Sequence, residues 1–143
     1  MHIHIGKESW QRAAACYIRM TVFVIERSIA LEDEFDTLDT DEAVYSVLYD
    51  NSLPVATGRF IKESKLVCRF TRIATIKEYR GQQCGAKIIY SLEEKAKRDG
   101  FQQAIIHSEL TAVPFYQKQG YVIISNIYEE DGVPCQTLSK SFS

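Results

Sequence analysis

The chain has 143 residues, enough for one domain, spanning 1–143, with a sizeable core, and 45% hydrophobic with 25% charged residues is a globular composition. A net charge of −2 gives no electrostatic case for nucleic acid or an anionic membrane, no apolar run reaches transmembrane length, and Met1-His-Ile-His-Ile-Gly6 lacks the basic start and apolar core of a signal peptide. Cys16, Cys68, Cys84 and Cys135 are widely spaced with no Cys-x-x-Cys pair, which argues against a metal site or a disulfide scaffold and for a reducing cytoplasm.

Residues 2–5 alternate in polarity and predict a short first strand. Ser9 is placed to cap a helix running to about Arg27, with Ala13-Ala-Ala-Cys-Tyr-Ile18, Val22, Phe23 and Ile25 as its apolar face. The β-branched run Thr21-Val-Phe-Val-Ile25 weakens helix preference near its end. Residues 31–42 are rich in acid. They read either as a solvated loop or as a negative rim that draws a cationic amine, with Phe35 and Leu38 packing part of the run down.

Residues 43–49, 53–61 and 66–76 predict an antiparallel meander, with Asn51-Ser52 as its first turn and Pro54 at the start of its second strand. Residues 77–81 form a polar turn, and a helix follows over 83–99. Cys84, Ile88, Leu92 and Ala96 lie on its inner face, Glu93→Lys97 and Glu94→Arg98 are paired outside, and Gly100 ends it. A buried strand over 103–107, a short helix over 111–118 and two strands, 121–128 and 135–141, joined by a turn at Asp131-Gly132, complete an α+β chain. The crossover through the long helix makes the central strands parallel.

The strand–loop–helix passage Arg72-Ile-Ala-Thr-Ile-Lys-Glu-Tyr-Arg-Gly-Gln-Gln-Cys-Gly-Ala86 carries the chemistry. Unpaired N–H groups at a helix start attract phosphate, Gly81 and Gly85 allow close backbone approach, and Arg80 adds charge. A plain strand–helix connection explains the same residues. Neither the Walker pattern nor G-x-G-x-x-G is present.

Glu78-Tyr-Arg-Gly-Gln-Gln-Cys-Gly-Ala86 resembles the acyl-CoA pyrophosphate loop of the GNAT superfamily, Arg-x-x-Gly-x-Gly/Ala, with Gln83 replacing the first Gly. Pro114-Phe-Tyr-Gln-Lys-Gln-Gly-Tyr121 resembles that family's second signature. Val22-Phe-Val-Ile-Glu26, Leu31-Glu-Asp-Glu-Phe-Asp36 and Glu130-Asp-Gly-Val-Pro-Cys135 are similar to a small bacterial branch, in which His usually stands where Cys135 does. The resemblance covers nearly the whole chain. It implies a three-layer α/β/α fold, with a mixed, mostly antiparallel sheet and a splayed parallel pair at a cofactor cleft. It also implies acetyl-CoA as co-substrate and acetyl transfer to a primary amine through a tetrahedral intermediate.

In that resemblance the backbone of Ile73, Ala74 and Thr75 pairs with pantetheine. Arg80 and the amides of Gly81, Gln82, Gln83, Cys84, Gly85 and Ala86 surround the pyrophosphate. Gln83 is harmless there if its φ is negative and harmful if the loop needs φ > 0. Tyr116 matches the general acid that protonates the departing thiolate; its other reading is a half-buried aromatic. Glu26, Glu109 and His107 are the candidate bases, with water as the alternative. Cys84 and Cys135 have no base partner for a covalent route. The rival functions are a non-catalytic acyl-CoA sensor and a cofactor-free interaction protein. The C-terminal edge strands could mediate a homodimer.

Overall fold

A computed structural model describes residues 1–142. Its elements are β1 (His2–Gly6), α1 (Ser9–Arg19), a π-helical segment (Met20–Glu26), α2 (Leu31–Glu34), β2 (Val44–Asp50), β3 (Leu53–Lys62), β4 (Val67–Thr75), α3 (Cys84–Arg98), β5 (Gln103–Glu109), α4 (Val113–Lys118), β6 (Val122–Ile123), β7 (Tyr128–Glu130) and β8 (Val133–Ser141). The sheet runs β1-β2-β3-β4-β5-β8-β6, with β7 also on β8. Among the described residues only β4 and β5 pair in parallel, as the crossover through α3 requires.

Alternation along β2 sends side chains to two helical layers. On one face Tyr49 donates to Gln11 of α1 at 2.7 Å; on the other the Ser46 hydroxyl lies 2.7 Å from that of Ser91 on α3. On α3 the expected stripe is buried: Ile88, Ile89, Leu92 and Ala96 have no more than 1% of their surface exposed. Each such Ile or Leu contributes about 1.5–3 kcal/mol. Gly58 on β3 lets α3 approach closely. A Cβ there would stand 2.7, 2.8 and 2.9 Å from Ile73, Ile88 and Leu92. Gly100, at φ +86°, closes α3 with the Phe101 N–H on the Ala96 carbonyl at 2.9 Å.

Several local expectations are corrected. Ser9 is the first helical residue rather than the cap; Glu8 holds the cap position and caps with no side-chain bond. Past Arg19 the helix widens. Thr21 donates its hydroxyl to the Tyr17 carbonyl (2.9 Å), and the Arg27 N–H reaches back five residues to Val22 (3.2 Å). Glu93 turns inward rather than toward Lys97 and accepts from Tyr121 (2.8 Å) and Lys140 (3.1 Å); Lys97 pairs with Glu94 instead. The expected strand over 121–128 is interrupted. Ile123 faces Leu138 and Tyr128 faces Cys135, so two extra residues loop out between them. The Thr137 N–H bonds the Ser125 hydroxyl there at 2.9 Å. Val122, Ile123, Ile124 and Ile127 are left exposed along this edge.

The acidic segment divides: Glu32, Asp33, Asp41 and Glu42 stay exposed as a solvated run would, Asp41 on Arg12 at 2.8 Å and Glu42 on Lys7 at 2.6 Å, while its other acids pack down. Glu34, Asp36 and Asp39 fold onto three arginines. Arg19, fully buried, donates to Glu34 at 2.9 Å and to Asp39 at 2.6 and 3.0 Å. Arg59, 1% exposed, donates to Asp36 at 2.8 and 3.1 Å and to Asp39 at 2.9 Å. Arg72 reaches the Glu34 carboxylate at 3.2 Å and Asp36 at 3.3 Å. Phe35 lies half-buried, 4.6 Å from the Arg19 guanidinium, whereas Leu38 stays exposed. Buried cations require such partners.

Candidate active site

The site begins with a bulge. Arg59 faces Thr71 and Thr57 faces Ala74, so β4 carries one residue more than β3, and Arg72 takes it up at φ +54°. The acidic segment holds the Arg72 side chain and so fixes the bulge from behind.

Parallel pairing of β4 and β5 covers only Val67–Arg69 against Gln103–Ile105; beyond it the strands part. The Ile76 N–H bonds the Val55 carbonyl at 2.9 Å. By the alternation of an antiparallel pair, Ala74 spends its backbone groups on β3, while those of Ile73 and the Thr75 N–H face the opening; the Thr75 carbonyl accepts from Arg80 at 3.0 Å. Of the three residues expected to offer backbone groups, two therefore do so, and Ala74 contributes its place in the wall.

The loop after β4 makes a short 3₁₀ turn over Lys77–Tyr79, passes Gly81 at φ +81° and enters α3 through Gln83 at φ +64°, ψ +18°. This is the left-handed region that favours glycine. The condition under which Gln83 is a poor substitute is met. Lys87 is the first residue of α3 to bond back, to the Gln83 carbonyl at 3.1 Å, and no side chain caps the helix. The N–H groups of Cys84, Gly85 and Ala86 therefore face the opening with the positive end of a 15-residue helix behind them. Gly85 also serves packing, since a Cβ there would lie 3.1 Å from the Phe115 ring.

A cleft of about 550 Å³ joins these parts. Ile73, Ala74, Thr75, Arg80, Gly81, Gln83, Cys84, Gly85 and Ala86 line it, and Tyr116 of α4 closes it. Gln82 is in the loop but not in the wall; its side-chain amide approaches the Glu78 carbonyl at 3.5 Å. Tyr79, Ala112, Phe115, Lys118 and Gln119 also line the cleft. They went unassigned from sequence, although Phe115 and Lys118 belong to the second signature. Tyr116 packs edge-on to Phe115 and Tyr121, 5.1 and 6.3 Å between centroids. Burial pushes its phenol well above the ordinary value, and the Glu109 charge adds to this.

The other candidates, Glu26, Glu109 and His107, do not line the cleft and are engaged with charged or ring neighbours outside its wall. Glu26 grips Arg80 through both oxygens at 2.7 Å, and Arg80 also donates to the Thr75 carbonyl at 3.0 Å. Hydrogen bonding from Arg80 holds the Glu26 carboxyl below the ordinary value and makes it a weaker base. The next residue, Arg27, donates to Glu109 at 2.7 Å. Neighbouring residues at the end of the π-helical segment thus fasten the two splayed strands, one beyond β4 and one at the tip of β5. Arg27 went unnoticed in the sequence because nothing there places it 82 residues from its partner. His107 faces Arg69 at 3.3 Å and Glu130 at 3.6 Å. Cys135, opposite Glu109, is 4% exposed, and burial raises its thiol with Glu130 and Glu109 adding to the effect, so it is a poor nucleophile. Cys84, at the helix start, is 2% exposed.

A sheet parted beside an uncapped helix start, closed by a buried phenol, is the arrangement that the GNAT resemblance implies, and comparison with known proteins gives the family. The family model described as an acetyltransferase (GNAT) domain matches residues 16–142. An uncharacterized acetyltransferase of Streptococcus pyogenes is 47% identical over 111 residues, 78% of this chain and 76% of that one. The Bacillus subtilis protein YyaT is 35% identical over 134 residues, 90% and 88% of the two chains. The crystal structure of a candidate N-acetyltransferase from Lactobacillus plantarum superposes with a TM-score of 0.96 at 40% identity, covering 99% of this chain and 98% of that one. The chain belongs to the GNAT acetyltransferase family. Among the described residues no helix is long and apolar enough to cross a membrane.

Proposed function

We propose that the protein transfers the acetyl group of acetyl-CoA to a primary amine of a small molecule, by direct attack through a tetrahedral intermediate. The observation that carries this reading is the meeting of a strand edge that has parted from its neighbour, an uncapped helix N-terminus and Tyr116 in one cleft. The N–H groups of Cys84, Gly85 and Ala86 would hold the pyrophosphate, with Gly81 leaving room for it. The edge at Ile73 and Thr75 would take the pantetheine amides as an added strand. When bound, acetyl-CoA supplies an acyl group on a good leaving thiolate.

The chain's own part is to orient the reactants and move protons. As the N–C bond forms and the C–S bond breaks, Tyr116 gives its proton to the departing sulfur. Burial keeps that proton in place through neutral pH. The proton lost by the amine goes to Glu109 or to water at the mouth. Glu26, already committed to Arg80, is not assigned this step.

A thermal-shift titration with acetyl-CoA, against adenosine diphosphate, tests the cleft: a ligand that binds only the folded state raises Tm. Release of free CoA thiol across an amine panel tests the chemistry. Tyr116→Phe is expected to keep the acetyl-CoA shift and lose about 10²-fold in kcat, the usual size of a general-acid contribution. A saturable shift with no thiol release from any amine would instead mark a sensor. No shift at all would leave a cofactor-free interaction protein.

A further inference from the structure

Resting on that reading, we infer that the acceptor is a zwitterion, an α-amino acid or a molecule like it, whose ammonium is received by Glu109 and whose carboxylate is received by Arg27. The Arg27–Glu109 pair stands at the tip of β5, where the strands have parted, and the Glu109 charge is felt at the Tyr116 phenol. Its side chains are 41% and 36% exposed, so a ligand can reach both and water screens the bond between them. The Arg27 guanidinium also lies 5.8 Å from the Phe23 ring.

Charge bookkeeping selects the ligand. A simple amine that took Glu109 would strip Arg27 of its carboxylate and set an ammonium beside a bare guanidinium. An anionic acceptor would meet Glu109 and, on β7 across β8, Glu130. A polyamine brings several ammonium groups and no carboxylate, so it too would leave Arg27 without a partner. A ligand carrying one charge of each sign, a few bonds apart, replaces one internal ion pair with two external ones and leaves nothing unpaired.

The test uses acceptors in matched pairs with and without the α-carboxylate: L-alanine and ethylamine, L-phenylalanine and phenethylamine, L-lysine and cadaverine, extended to the other protein amino acids. CoA release is followed at saturating acetyl-CoA. The best amino acid is expected to exceed its partner in kcat/KM by about 10-fold or more, the size of one charge-assisted hydrogen bond. Arg27→Gln should remove that advantage by raising KM for the amino acid with kcat little changed, should leave the carboxylate-free amine nearly unaffected, and Arg27→Lys should restore part of the loss. In the presence of CoA, the same amino acid should raise Tm of the native protein and not of Arg27→Gln. Amines turned over equally well without the carboxylate, or an Arg27→Gln loss shared by both members of a pair, overturn the inference and leave acetyl transfer standing. Tight acetyl-CoA binding with no turnover of either series overturns both.

Discussion

Gln83 holds a backbone conformation that suits glycine, at the point where the phosphate-facing loop becomes α3. A left-handed residue with a Cβ costs about 1–2 kcal/mol, part of which glycine would return through its looser unfolded state. Gln83→Gly is therefore expected to stabilise the protein by about 1 kcal/mol, raising Tm by roughly 3 °C in a calorimetric scan, with acetyl-CoA binding no weaker. An unchanged or lower Tm would mean that the Gln83 side chain returns what its backbone costs. The identity of this residue was plain in the sequence and its φ was not, because a loop's dihedrals depend on how its two ends are held. Tyr116, Arg80 and Gly85 were legible because each sits in a short motif that demands its residue type. Their company was hidden: Phe115 against Gly85, and Glu26 on Arg80.

The acidic segment shows what an element's composition conceals. Its charges predicted solvent or substrate as partner, yet the guanidiniums of α1, β3 and β4 claim three of them, Glu34, Asp36 and Asp39. Pattern reading assigns arginine to the surface by default, so Arg19 and Arg59 gave no sign of their burial. Asp39 is the hub. It receives Arg19, Arg59 and, at 2.6 Å, the Tyr45 hydroxyl. Asp39→Ala should cost about 3 kcal/mol, the scale of removing one member of a buried ion pair, measured by urea unfolding. A loss below about 1 kcal/mol, the range of surface pairs, would show that water reaches the cluster. Strand and helix periods, by contrast, were readable wherever an element packs one face, as α3 and β2 do. They failed at β6 and β7, where a looped-out pair breaks the alternation.

At the scale of the molecule this cluster also sets the response to acid. Against the cost of burial, hydrogen bonds from Arg19 and Tyr45 pull the Asp39 carboxyl well below its ordinary 3.8. Against the same cost, Arg59 does so for Asp36. Groups lowered on folding contribute stability that is fully present above 3.8 and is lost as pH falls through their folded values. Glu34, raised by burial, works in the opposite sense and recovers some stability as it takes up a proton. Two lowered groups outweigh one, so Tm should hold level at mildly acidic pH and fall once pH drops below about 4, the ordinary range of an aspartate. Asp39→Asn should flatten that fall. A wild-type curve that stays level to pH 2 would contradict the assignment.

The cluster of Glu34, Asp36 and Asp39 with Arg19, Arg59 and Arg72 sets three negative charges against three positive ones within a few ångströms. Seen from more than a Debye length away, such a group is nearly neutral. The acids drawn into the cluster therefore cast almost no field into the surrounding solution, and the exposed Glu32 and Asp33 are left to carry the local negative charge of this stretch. The six clustered charges thus add little to the steering of a charged substrate, whatever the salt concentration.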